Sequence, residues 1–348
     1  MLKKYLFFLF LVIFTNTKLL TQTTLDYDHR VHPEIAENFM VVSQNSLATD
    51  TGYEILSKGG NAIDAAVAVG FALAVTLPRA GNIGGGGFML IYKADSGEVQ
   101  SIDYRSAAPR LAKSEMYLTD SDFIRFGNIV NAVPGTVAGL IKAHREHGKL
   151  PLTSVLKPAI ELARKGYKVP YDLNYALSWA KGPLKINEAS NKKFFNNSNK
   201  PLSAGSIFKQ PNLAKSLSLI GRKGEKAFYE EDIAEWIVED AKLNGGLIRK
   251  EDLKSYEAKS RKPIETTYRG YKIVSMPPAA SGGLVLLQTL NILENFDLSE
   301  FGHNSASSLH VLSEAMVRAY ADRTRFHGDP DFYQVPIKSL LDKEYAKE

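Results

Sequence analysis

The stretch AGNIGGGGFML, residues 80–90, places five glycines in eleven positions. Glycine-dense loops often cradle phosphate, because backbone N–H groups at the start of a following helix can meet the anion. That use needs a fixed order: a strand, then G-x-G-x-x-G, then a helix. Here the order is reversed. Upstream, NAIDAAVAVGFALAV (61–75) predicts a helix, with Asn61 as cap and Asp64 three residues on, in capping-box register. From Ala65 to Val75 every residue is apolar or glycine, so that helix is expected to be buried on all sides. Downstream, FMLIYKADSGEVQSIDYR (88–105) predicts two strands, 88–92 and 99–104, around a turn at Asp95-Ser96-Gly97. The spacing Gly81-x-x-Gly84 misses the dinucleotide pattern, and no G-x-x-x-x-G-K-[ST] occurs. Nucleotide binding is therefore not expected. Glycine also lets another backbone or a ligand come close. The run is read as a tight junction between a core helix and a hairpin, either a plain packing turn or the floor of a pocket.

The rest of the chain alternates helices and strands. SLATDTGYEILSKGG (46–60) predicts a helix ended by Gly59 and Gly60. EDIAEWIVEDAKLNGG (231–246) has an apolar face at 233, 236, 237 and 241 and stops at Gly245. YRGYKIVSMPP (268–278) predicts a strand ended by two prolines, and 282–296 and 305–323 predict two further helices. Residues 191–206 are expected to be a surface loop, with a glycosylation sequon at Asn196-Asn197-Ser198 given little weight. Helices mixed with hairpins give an α/β (α+β) class whose sheet need not be parallel.

At 348 residues and 44% hydrophobic, the chain suffices for one large domain or two smaller ones. Its net charge is +5, and the basic clusters are short (Lys192-Lys193, Arg222-Lys223), which suits a solvated surface and not a nucleic-acid face. The chain has no cysteine, which excludes disulfides, cysteine nucleophiles and thiolate metal sites. MLKK followed by the apolar run from Tyr5 to Phe14 predicts a secretory signal over about residues 1–24. The run is short against the roughly 20 residues a membrane span needs. TNTKLLTQT offers no A-x-A cleavage site, so an uncleaved anchor is the competing reading.

Catalytic candidates are few. No G-x-S-x-G elbow is present, and Ser281 in PAASGGL is expected near a helix cap. His144 and His147 lie among charges without H-E-x-x-H or an evident third ligand, which favours a solvated helix end over a metal site. Asp329 and Asp331 flank Pro330 and suit turn chemistry better than a short metal loop. Arg105 in DYRSAAPR stands where a strand enters a loop, and its guanidinium can grip a carboxylate in a two-pronged fork. From the residues alone, a structural salt bridge explains Arg105 equally well. The chain thus offers a carboxylate receptor but no nucleophile or base.

Seven segments nevertheless resemble, in order, the large-subunit half of the γ-glutamyltranspeptidases (glutathione hydrolases): 59–91, DYRSAAP (103–109), VPGTVAGL (133–140), NGGLIRKEDL (244–253), YRGYKIVSMPPAASGG (268–283), LNILENFDL (290–298) and AYADRTRFHGDPDF (319–332). The resemblance spans roughly residues 38–348 and would make 25–348 a partial large-subunit domain. It implies an N-terminal nucleophile hydrolase with a four-layer α/β/β/α sandwich, incomplete here without the small-subunit half. It implies a proenzyme that cuts itself, and a new N-terminal threonine that takes the γ-glutamyl group from glutathione or a related amide and passes it to water, an amino acid or a dipeptide. A threonine hydroxyl is weak until a base assists it. Its own α-amine, with a pKa of about 7.7–8.0, can be that base, and backbone N–H groups stabilise the oxyanion. No metal or organic cofactor is expected.

The arginine of the family's D-[YF]-R-x-x-A-P motif holds the substrate α-carboxylate, and the resemblance carries that role to Arg105. The nucleophile is expected beyond Glu348, because Thr23-Thr24 and Thr266-Thr267 do not match the family's cleavage position. The 348 residues alone are accordingly expected to be inactive and to expose apolar surface where a small subunit packs. An exported bacterial protein, periplasmic or extracellular, is implied. A cephalosporin acylase-like amidase, a capsule depolymerase and a non-catalytic γ-glutamyl peptide binder are the alternatives.

Overall fold

A computed structural model describes residues 34–118, 125–196 and 198–348. The signal segment read at 1–24, with Thr23-Thr24, and Asn197 of the sequon lie outside the described residues. Residues 34–40 carry no helix or strand, and residues 41–348 form one compact unit.

Its centre is the helix predicted from the all-apolar run. Asn45 caps α1 (Ser46–Ser57) by accepting from the N–H groups of Leu47 and Ala48. Asn61 caps α2 (Ala62–Thr76), and the capping box with Asp64 is formed. Val67, Ala68, Phe71, Ala72 and Val75 of α2 are fully buried. Helix α2 packs against α1, α3 (Thr136–His147) and α4 (Leu152–Lys165), and α4 packs on α5 (Pro211–Lys223). A further helix, α6 (Asp232–Leu243), ends at Gly245, whose φ of +72° lies in the left-handed region that glycine adopts without strain.

This helical layer covers one face of a three-stranded antiparallel sheet. Strands β1 (Gly87–Tyr92) and β2 (Val99–Tyr104) form the predicted hairpin, in register from Tyr92↔Val99 to Gly87↔Tyr104. Strand β3 (Lys259–Arg261) adds to the far side of β2. Met89, Ile91, Ile102 and Tyr104 point into the helical core. The alternate residues of β1 face the other way, and there Leu90 and Tyr92 are 42% and 66% exposed. On β2 and β3 the same face is polar, with buried Ser101 and Asp103 beside Arg261, so the uncovered apolar surface belongs to β1.

The C-terminal part has its own small core. Strands β4 (Ile264–Tyr268) and β5 (Tyr271–Ser275) form a second hairpin. The span read as one strand at 268–278 is instead the turn and second arm of that hairpin. Arg269 and Gly270 both have positive φ, +48° and +84°, as a two-residue hairpin turn requires. Thr266 and Thr267 sit within β4, paired with Ile273 and Lys272. Helix α7 (Ser281–Leu293) begins at Ser281 and buries Leu284 and Leu287 with Ile264, Val335 and Leu340. Helix α8 (Ala306–Phe326) buries only Ala315 and Ala319 and exposes Leu309, Leu312, Met316, Val317 and Tyr320. The loop expected at 191–206 starts inside a helix, Glu188–Phe194.

Candidate functional site around Arg105

Gly84 lines a cavity of about 650 Å³ together with Ser106, Asn131, Trp236 and Ile248, while the glycines after it are engaged by the protein itself. Gly85 gives its carbonyl to the N–H groups of Gly135 (2.7 Å) and Thr136 (3.0 Å), at the start of α3. The helix end that would receive an anion in a phosphate loop is thus occupied by backbone. A Cβ on Gly86 would lie 2.5 Å from the Ser106 nitrogen and 2.8 Å from the Tyr104 carbonyl oxygen. Gly85 and Gly86 are the seat on which the chain from Tyr104 to Ser106 rests, and Gly84 borders a cavity, so each of the two readings left open by sequence holds for part of the run.

That seat presents Arg105. Its backbone N–H donates to Asp103 Oδ1 (3.0 Å), and its carbonyl accepts from the Tyr256 hydroxyl (2.8 Å). Its side chain is exposed, and among the described residues the guanidinium makes no hydrogen bond or ion pair. The structural salt bridge that sequence allowed for Arg105 is made by a different arginine. Arg261 Nε donates to Asp103 Oδ2 (2.7 Å), and the same guanidinium grips Asp331 at 2.9 and 3.1 Å. Lys259 adds a contact to Asp331 at 2.6 Å. Hydrogen bonds from Arg261 and Lys259 hold the Asp331 carboxyl down at about 2, and the bond to Asp331 raises the Arg261 pKa.

Arg105 opens into a cavity of about 530 Å³ whose wall includes Tyr256, Arg261, Asp331 and His327. On its rim Asp252 is buried. Burial alone would raise its pKa, but the Arg110 and Arg249 N–H groups and the Arg110 side chain outweigh that and lower it. Burial raises the Tyr256 pKa, with the Asp103 charge acting in the same direction, so this hydroxyl stays protonated and donates. His327 sets Nε2 3.2 Å from the Ala279 carbonyl, while its Nδ1 is buried without a partner.

Of the remaining candidates, Asp329 and Asp331 line this cavity, whereas His144 and His147 do not. Asp329 and Asp331 form a turn, with the Asp331 N–H donating to Asp329 Oδ1 (3.0 Å). His144 is no solvated helix end: its Nε2 lies 2.8 Å from the Leu150 carbonyl and 3.6 Å from buried Asp64. Asp64 also accepts from the N–H groups of Asn61, Lys149 and Leu150 and so pins the loop after α3. Among the described residues, no group of three or more His, Asp or Glu side chains is placed to hold a metal ion. No helix of the described residues is long and apolar enough to cross a membrane. Sequence reasoning missed Tyr256 altogether. It lies 151 positions from Arg105, and nothing local in LKSYEA marks it.

A profile of the family described as Gamma-glutamyltranspeptidase matches residues 48–348. The Escherichia coli glutathione hydrolase proenzyme is 46% identical over 321 residues, covering 91% of this chain and 55% of that protein. The Acylase ACY 1 proenzyme of Pseudomonas sp. strain SE83 is 39% identical over 334 residues, covering 93% of this chain and 60% of that protein. Among solved structures, Helicobacter pylori γ-glutamyltranspeptidase superposes with a TM-score of 0.88 at 43% identity, covering 91% of this chain and 92% of that one. The chain therefore spans little more than half the length of the curated relatives it matches.

Proposed function

The chain belongs to the γ-glutamyltranspeptidase family, and from that premise we propose that it is the large-subunit part of a self-processing enzyme. Its fold is accordingly the mixed α/β fold of the N-terminal nucleophile hydrolases. The one helical layer and one sheet described above, with the exposed apolar side of β1, correspond to half of an α/β/β/α sandwich. The reaction is cleavage of the γ-glutamyl amide of glutathione and related compounds. The acyl group passes to a threonine of the small subunit and then to water, an amino acid or a dipeptide.

One observation carries the assignment. Arg105 is held by its backbone from both sides, yet among the described residues its guanidinium is unpaired, and it lines an open cavity. A surface arginine with no structural partner does not need so determined a backbone. A receptor does, because a fork must meet both carboxylate oxygens at once. Arg105 thus binds the α-carboxylate and leaves the γ-carbonyl free to meet the nucleophile, which the small subunit of the same precursor supplies. The basic and apolar N-terminal segment supports export, to the periplasm or beyond.

An acylase reading has its own support in the 39% identity to Acylase ACY 1 proenzyme. The two readings separate on whether the donor needs a free α-carboxylate. Expression of the full-length precursor, N-terminal sequencing of any fragment, and turnover of glutathione against its α-amide tests both. A fragment starting with threonine and a preference for the free acid of at least tenfold is expected. Equal turnover of the two would remove Arg105 from substrate binding and favour the acylase.

A further inference from the structure

We infer that Tyr256 is a positioning residue for the substrate-binding arginine: its hydroxyl fixes the backbone from which the Arg105 guanidinium projects. This rests on Arg105 being the α-carboxylate receptor.

Strand pairing stops just short of Arg105. The β1–β2 ladder ends at Gly87↔Tyr104, and the β2–β3 ladder ends at Asp103↔Lys259. Backbone pairing resumes only at Ala107↔Val133. Across that gap Arg105 is tied by two side chains. Asp103 is a local tie, two residues away, and moves with the strand. Tyr256 comes from a remote segment and connects Arg105 to the core. Its ring stacks on Tyr229 with centroids 5.7 Å apart and planes within 8°. Tyr229 is buried, donates to the Pro134 carbonyl (2.9 Å) and accepts from the Ala138 N–H (3.2 Å). The first turn of α3 therefore holds Tyr229, Tyr229 holds Tyr256, and Tyr256 holds the Arg105 carbonyl.

The sequence makes room for this chain at one position. A Cβ on Gly135 would stand 2.1 Å from the Tyr256 hydroxyl oxygen and 2.0 Å from the Tyr104 carbonyl oxygen. The hydroxyl thus occupies a slot that only glycine leaves open. An arginine side chain has many rotamers, so its reach to a fixed carboxylate depends on where its own backbone stands. An error of about 1 Å in such placement is enough to lose much of the benefit of orientation.

Tyr256→Phe removes one oxygen and keeps the stacked ring. It should be made in the full-length precursor and assayed with a chromogenic γ-glutamyl anilide, with L-glutamate as competitive inhibitor. KM and the inhibition constant are expected to rise about three- to tenfold, the worth of one hydrogen bond, with kcat within twofold and a melting temperature lowered by no more than about 2 °C. Arg105→Lys should raise KM further, and the double variant should be no worse than Arg105→Lys alone, because Tyr256 acts only through Arg105. Additive effects in the double variant would overturn the inference. So would an unchanged KM and inhibition constant in Tyr256→Phe while Arg105→Lys is impaired. An unchanged KM in Arg105→Lys would instead remove the receptor reading itself, and this inference with it.

Discussion

Replacing Gly135 with alanine tests how tightly α3 is pressed against the strand end that carries Arg105. The added Cβ would meet the Tyr104 carbonyl oxygen at 2.0 Å, about 1.4 Å inside ordinary van der Waals contact. That oxygen is backbone, so relief requires shifting β2 or tilting α3, and both are fixed in the core through Ile102 and Val137. Overpacking of this kind costs about 1–3 kcal/mol. Displacing the Tyr256 hydroxyl from Arg105 adds roughly 1 kcal/mol. The expected loss is therefore about 2–4 kcal/mol. At roughly 2 °C per kcal/mol for a domain of this size, the melting temperature falls on the order of 5 °C. Thermal unfolding of the full-length protein, followed by fluorescence, measures it. Gly282→Ala is the control: nothing lies within 4 Å of its added Cβ and it sits in the first turn of α7, so a change within about 0.5 kcal/mol is expected. A Gly135→Ala protein melting within 1 °C of the parent would refute the close approach.

Three more expectations follow from the described geometry. Asp64→Ala removes a buried acceptor from the half-buried bonds to the N–H groups of Asn61, Lys149 and Leu150 and should cost about 2 kcal/mol in urea unfolding, whereas Asp64→Asn should keep part of that stability; equal losses would show that the charge, and not the acceptor geometry, matters. Asp331 is depressed to about 2 in the folded protein, so its contribution is present in full above the ordinary aspartate value of about 3.9 and is lost as pH falls toward 2. The stability gap between the parent and Asp331→Asn should therefore close between about pH 4 and pH 2, and a gap constant across that range would contradict the ion cluster. Residues 34–348 expressed alone should self-associate through the bare face bearing Leu90 and Tyr92, with light scattering rising with concentration and falling in Leu90→Lys/Tyr92→Lys; a monodisperse parent would argue against an uncovered sheet.

Much of this was legible in local sequence because the forces are local. The capping box of α2, the end of α6 at Gly245 and the first hairpin all follow from periodicity and turn chemistry within a few residues. The second hairpin was misread because IETTYRGYKIVS hides its turn in Arg269-Gly270, where a non-glycine residue takes positive φ. His144 was misjudged because its charged neighbours suggest water, whereas its partners, Asp64 and Leu150, come from elsewhere in the fold. The same limit applies at the site. Arg105 and Asp103 share one short motif, but Tyr256, Arg261 and Asp331 reach it through tertiary contacts that no spacing rule encodes.

The carbonyl of Gly85 at the head of α3 separates two jobs that phosphate loops combine. In those loops the same glycines bend the chain and present the N–H groups that hold the charge. Here Gly85 and Gly86 only bend and seat the chain, and under the proposed function holding would fall to Arg105, whose guanidinium makes no hydrogen bond or ion pair among the described residues. Charge recognition is in consequence modular: Arg105 can be exchanged for a neutral or apolar residue at a stability cost within about 0.5 kcal/mol, as for other unengaged surface positions. If Arg105 is the receptor proposed above, such a scaffold could change the acid it prefers by a single codon, while the loop beneath stays as it is.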